Sequence, residues 1–91
     1  MSIRVNRRDF LLGHAGEGTV EISCENLFMR YVDSRVDRTG QRFLREVRKH
    51  LGHARHVRLC NSSWLEQEGL RDEVQPLLEE FISCGGTIEY S

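Results

Sequence analysis

Four residues near the middle of the chain, His50, His53, His56 and Cys60, spell H-x-x-H-x-x-H-x-x-x-C, the nitrogen and sulfur donors that tetrahedral zinc takes. Spacing argues against an ion there. Gly52 interrupts a helix between the first two histidines, and residues 56 and 60 fall in a strand, where four steps of about 3.3 Å put both donors on one face but about 13 Å apart. Solvated histidines at a helix end and in a loop are the simpler reading, so no metal or other cofactor is expected. Cys60 has a second chemistry open to it. It ends a strand directly before Asn61, Ser62 and Ser63, where open parallel sheets place ligands and helix N-termini attract anions, so a thiol relay is the alternative enzyme reading. Glu66 and Glu68 follow closely, and neighbouring carboxylates disfavour a thiolate and blunt its reactivity. No nucleophile–base pair, glycine-rich phosphate loop or paired catalytic carboxylate stands at useful spacing, so hydrolase and kinase chemistry lack support and the chain is expected to be non-catalytic.

Charge offers a different route to function. The net charge is -1, yet residues 30–58 carry nine Lys/Arg against three Asp/Glu, and residues 59–91 carry one against seven. Arg38, Arg42, Arg45, Arg48, Lys49, Arg55 and Arg58 could neutralise phosphates. The acidic last third cancels their long-range field, and no aromatic platform is interleaved with them, so nucleic acid is the weaker alternative. The more economical expectation is that basic and acidic segments attract each other inside the fold, or in a second copy of the chain. Arg42, Arg45, Arg48 and Lys49 then form a secondary basic surface.

These residues need elements to position them. Ninety-one residues suffice for one core, and three cysteines without paired spacing suit free thiols better than a disulfide framework. Ile3 and Val5 open a short strand, and extended structure continues through Phe10–Leu12. Ala15-Gly16-Glu17-Gly18 supplies a turn, and Thr19–Ser23 alternates with period two, completing an N-terminal β-hairpin. Leu27–Val32 reads as a third candidate strand, although a run this short also allows a helical turn. From Asp37 the period becomes helical: Asp37 or Thr39 can cap, Phe43, Leu44, Val47 and Leu51 recur on one face, and Gly52 stops the helix. His56–Cys60 is a strand. Leu70, Val74, Leu77, Leu78, Phe81 and Ile82 mark a second helix that ends at Cys84-Gly85-Gly86, with a bend or a late start near Glu73 expected from Pro76. Thr87–Ser91 closes as a strand. The expectation is an α/β fold: a mixed sheet of four to six strands, an N-terminal β-hairpin, and two amphipathic helices on one face, in a single domain over 1–91.

Val36-Asp37 before the first helix, the apolar strand His56–Leu59, Glu66-Gln67-Glu68-Gly69-Leu70 at the start of the last helix, and Gly85-Gly86 before the last strand together resemble a STAS domain. That is the family of anti-sigma-factor antagonists and sulfate-transporter tails. The resemblance covers about residues 19–91. It implies a regulatory protein-binding module whose switch serine falls at Glu68, a residue that cannot be phosphorylated and carries permanent charge instead. Cys60 at a strand end is similar in position to the thiol of small sulfur-relay proteins. The expected contact surface is Asn61, Ser62, Ser63, Trp64, Glu66 and Glu68, with tryptophan as anchor because this residue is enriched in interface hot spots.

Asn6-Arg7-Arg8-Asp9-Phe10-Leu11-Leu12 resembles a twin-arginine export signal. The run that should be apolar meets Gly13-His14-Ala15-Gly16-Glu17 instead, and no segment approaches the roughly 20 apolar residues of a membrane span. The expectation is a cytoplasmic protein with a protein partner and no membrane contact.

Overall fold

A computed structural model describes residues 10–91. The elements are β1 (Leu11–Gly16), β2 (Thr19–Ser23), α1 (Cys24–Asp37), α2 (Gly40–Gly52), β3 (His56–Cys60), a 3-10 turn (Ser62–Glu66), α3 (Leu70–Ser83) and β4 (Thr87–Tyr90). They build an α/β fold with one four-stranded mixed sheet in which strand order follows chain order. The β1–β2 pair is antiparallel, and β2, β3 and β4 run parallel. The hairpin turns on Glu17-Gly18, where Gly18 takes φ 79 in a left-handed conformation that a residue with a Cβ resists. The expected strand at Ile3–Val5 and the Arg7-Arg8 pair lie outside the described residues.

Register explains how the sheet divides inside from outside. Val20 pairs with Val57 and Val57 with Ile88, while Ile22 pairs with Leu59. Val20, Val57, Ile22 and Leu59 belong to the buried core, and Ile88 packs against it. The alternate positions make the other face: Glu21 pairs with Arg58 and Arg58 with Glu89. There Arg58 reaches Glu21 at 2.7 Å and Glu89 at 3.4 Å. His56 meets Thr87 at 2.6 Å and Glu89 at 3.2 Å through its two ring nitrogens. Glu89 is held below the usual carboxylate range by the His56 hydrogen bond first and the Arg58 charge second.

The helices cover the apolar face. In α2, Phe43, Val47 and Leu51 are buried at helical spacing, and Arg42, Arg45, Arg48 and Lys49 are exposed. In α3, Leu70, Val74, Leu77, Leu78 and Phe81 are buried, and the helix runs from Leu70 through an exposed Pro76 without the late start expected. Proline forfeits one main-chain hydrogen bond there, a cost offset by five buried side chains at about 1.5–3 kcal/mol each. The basic and acidic helices are neighbours, and Arg48 pairs with Glu80 at 3.2 Å.

One expected element is different. Leu27–Val32 lies within α1 rather than forming a strand, so three helices cover the sheet, not two. Its start is set by Ser23, whose hydroxyl accepts the Asn26 N–H at 3.2 Å, with Glu25 in the first turn. Leu27, Tyr31 and Ser34 are its buried stripe. Burial of that stripe overrides the β preference of a short apolar run. Phe10 completes the core from ahead of β1, edge-on to Phe43 at 6.4 Å and to His50 at 5.3 Å.

Candidate functional site

The connection from Asn61 to Leu70 leaves the carboxyl end of β3 and enters α3. Asn61 starts it in the left-handed region, φ 56, which asparagine tolerates better than most residues. Its carbonyl then accepts the Trp64 N–H at 3.1 Å, and the Trp64 carbonyl accepts the Gln67 N–H at 3.1 Å, closing the 3-10 turn. Leu65 is fully buried beneath the turn. Ser62 ties the turn to the sheet's last residue, donating its N–H at 2.9 Å and its hydroxyl at 3.1 Å to the Ser91 carbonyl. The exit repeats the backbone device of the entry: Glu68 (φ 49) and Gly69 (φ 79) are both left-handed. The Tyr31 hydroxyl donates to the Glu68 carbonyl at 3.2 Å, so α1 fixes the bend from below.

The side chains expected to make a contact surface separate into two environments. Trp64 is half-buried and packs against Phe28 of α1, ring centroids 5.5 Å apart at 42°. Asn61, Ser63, Glu66 and Glu68 are exposed. The N-cap of α3 is Gly69, which has no side chain to cap it. Glu66 and Glu68 each engage a different guanidinium. Glu66 binds Arg71 at 2.7 Å, and Glu68 lies 3.8 Å from Arg35. Arg71 also stacks over the Tyr90 ring at 5.8 Å, and the Glu66 hydrogen bond above all holds its guanidinium above the usual arginine range. The junction thus combines a half-buried indole with two ion pairs of its own glutamates. Tyr31 and Arg35 reach it from α1, and Arg71 from the first turn of α3.

A further group escaped sequence reasoning. Phe28, Val32 and Val36 follow at i, i+4 and i+8 on the outer side of α1, and Val36 is 77% exposed. The spacing was visible, but it is only meaningful on a helix.

The competing chemistries find little geometry. Among the described residues no group of three or more His, Cys, Asp and Glu side chains is placed to hold a metal ion. His50 meets Phe10 edge-on, and His56 belongs to the polar sheet face. Cys60 is half-buried at the end of β3, opposite Ser23. Next to Ser23, Cys24 is fully buried, and that burial first, with Cys60 nearby second, pushes its thiol up to about 12. Arg42, Arg45 and Lys49 are exposed and make no ion pair among the described residues. No helix of the described residues is long and apolar enough to cross a membrane.

No protein-family model, curated protein or solved structure matches this chain.

Proposed function

We propose that this chain is a small regulatory module, STAS-like in arrangement, that binds a protein partner without catalysing a reaction. The observation that carries the reading is the Asn61–Leu70 junction: a hydrogen-bonded turn in which half-buried Trp64 packs on Phe28 and the exposed Glu66 and Glu68 pair with Arg71 and Arg35. Backbone and side chains are held before any partner arrives, which lowers the ordering cost that association otherwise incurs. A half-buried indole bordered by polar groups matches the anatomy of an interface anchor with a polar rim. The Phe28–Val32–Val36 row along α1 runs from the half-buried partner of Trp64 to Val36, 77% exposed, which extends the apolar contact available beside the junction. Parallel crossovers through helices support the STAS-like comparison, although Val36-Asp37 ends α1 instead of preceding the first helix as that resemblance expects.

With Glu68 at the place of the family's switch serine, binding is constitutive, not toggled by phosphorylation. Cytoplasmic residence fits three free thiols.

The test is quantitative co-purification from the native host with untouched chain, Trp64→Ala and Val36→Glu. A stoichiometric partner retained by the parent is expected to be lost from both variants while their circular dichroism stays native. A partner that both folded variants retain in full refutes the assignment of this surface.

A further inference from the structure

At the end of the molecule away from Asn61–Leu70, the C-terminal turns of α2 and α3 and the residues leading into β3 and β4 enclose a groove of about 560 Å³. Small-molecule sites occupy about 300–1,000 Å³ and combine an apolar lining with a few convergent polar groups. The floor here is Leu51, Leu77 and Phe81, all buried. Arg48 stands on the α2 wall, tied across to Glu80 of α3 at 3.2 Å. Arg55 stands where β3 begins, and its backbone is fixed: its N–H donates to the Gly18 carbonyl at 2.7 Å and its carbonyl accepts the Thr87 N–H at 3.0 Å. Its stem passes over Gly18, where a Cβ would sit 3.5 Å from Cγ and 3.6 Å from Cβ of Arg55. Its guanidinium is exposed, with no hydrogen-bond or ion-pair partner among the described residues.

The lining thus carries two cations and one anion, and the anion is already engaged by Arg48. One uncompensated positive charge remains beside an apolar floor. Helix C-termini would ordinarily repel an anion, but these are closed by their own backbone. The N–H groups of Cys84, Gly85 and Gly86 return to the carbonyls of Glu80, Ile82 and Phe81 at 3.1, 2.9 and 3.0 Å, and that of Ala54 returns to Leu51 at 3.2 Å.

We propose that this groove binds a small organic anion with an apolar body, a carboxylate or sulfonate whose charged head meets Arg55 while its body lies over Phe81 and Leu77. The site is separate from the Asn61–Leu70 surface and stands or falls independently of it.

Anilinonaphthalene sulfonate is a suitable probe, an aromatic anion whose emission rises and shifts to the blue in an apolar site. Folded protein titrated at low ionic strength is expected to take up one equivalent saturably, and occupancy is expected to slow alkylation of the exposed Cys84 at the rim. Arg55→Glu should weaken uptake by about tenfold or more, the effect of losing one charge-assisted hydrogen bond, whereas Arg55→Lys should keep most of it. Arg55→Gln replaces R55E in the comparison if the charge reversal disturbs the melting profile. Absence of saturable uptake by the folded protein overturns the proposal, and so does equal affinity in a folded variant lacking the Arg55 charge.

Discussion

A single methyl group at Gly86 probes how the last strand is seated. An ideal Cβ at that position lies 2.5 Å from Cε2 and Cζ of Phe81 and 2.7 Å from Cε1, where carbon pairs rest at about 3.5–4.0 Å. The ring must retreat by about 1 Å to restore contact distance. It has little room to do so, because Phe81 is 8% exposed and its carbonyl accepts the Gly86 N–H at 3.0 Å. Gly86 does not occupy the left-handed region, so the substitution isolates the clash from backbone strain.

Overpacking of this kind costs about 1–3 kcal/mol. A domain of this size is stabilised by roughly 5–14 kcal/mol in total, so the loss is a large fraction. At about 4–8 °C per kcal/mol, Gly86→Ala should lower Tm by roughly 10 °C. Thermal melts of Gly86→Ala, Phe81→Leu and the double variant separate the clash from general damage. Leucine lacks the ring atoms that the new methyl meets, so the double variant should lose less than the two single losses combined, with a coupling of about 0.5–3 kcal/mol. A Gly86→Ala protein that melts with the parent, or single losses that simply add, would show that the Phe81 ring does not rest on Gly86.

Two further outcomes follow from ionisable groups. Glu89 is held below its ordinary value of 4.5 by His56 and Arg58, so its contribution is present above that pH and disappears as pH falls through the depressed value; Glu89→Gln should therefore lower Tm at neutral pH, and the gap to the parent should close as pH falls through that value. A gap between the two proteins that persists unchanged in acid contradicts the ion-pair account. Cys24, raised by burial from 9.0 to about 12, favours folding fully below pH 9.0 and progressively less as pH climbs toward 12, so the native protein should lose stability on that alkaline limb. The same burial predicts that iodoacetamide labels the exposed Cys84 long before Cys24 at neutral pH; equal labelling rates without denaturant would contradict it.

Long periodic segments were legible from sequence because one physical rule decided each of them. His56–Cys60 and the helix through Phe43, Val47 and Leu51 were read directly, since alternate or helical burial leaves an unambiguous stripe. The α1 segment was not. Leu27 and Tyr31 face the core while Phe28, Met29 and Val32 sit half-buried on other sides, so the helical period vanishes into a continuous apolar run. Only Ser23, as N-cap, carried the opposing signal, and a lone serine after a strand is weak evidence. The junction residues Trp64, Glu66 and Glu68 were found because they are close in sequence. Their partners Phe28 and Arg35 were not, since both come from α1 and reach the junction only once that helix is placed, while Arg71, five residues beyond Glu66, pairs with it through the turn that enters α3.

The cross-strand pattern Glu21–Arg58–Glu89 has a consequence for assembly. Negative, positive and negative side chains stand side by side on three neighbouring strands of the polar face, so laying another sheet against that face would strip water from an ion-paired row for little return. That side is protected against stacking by its own electrostatics. A one-residue slip of β4 along β3 would turn Glu89 toward the apolar layer, so the same row also favours strand alignment while the chain folds.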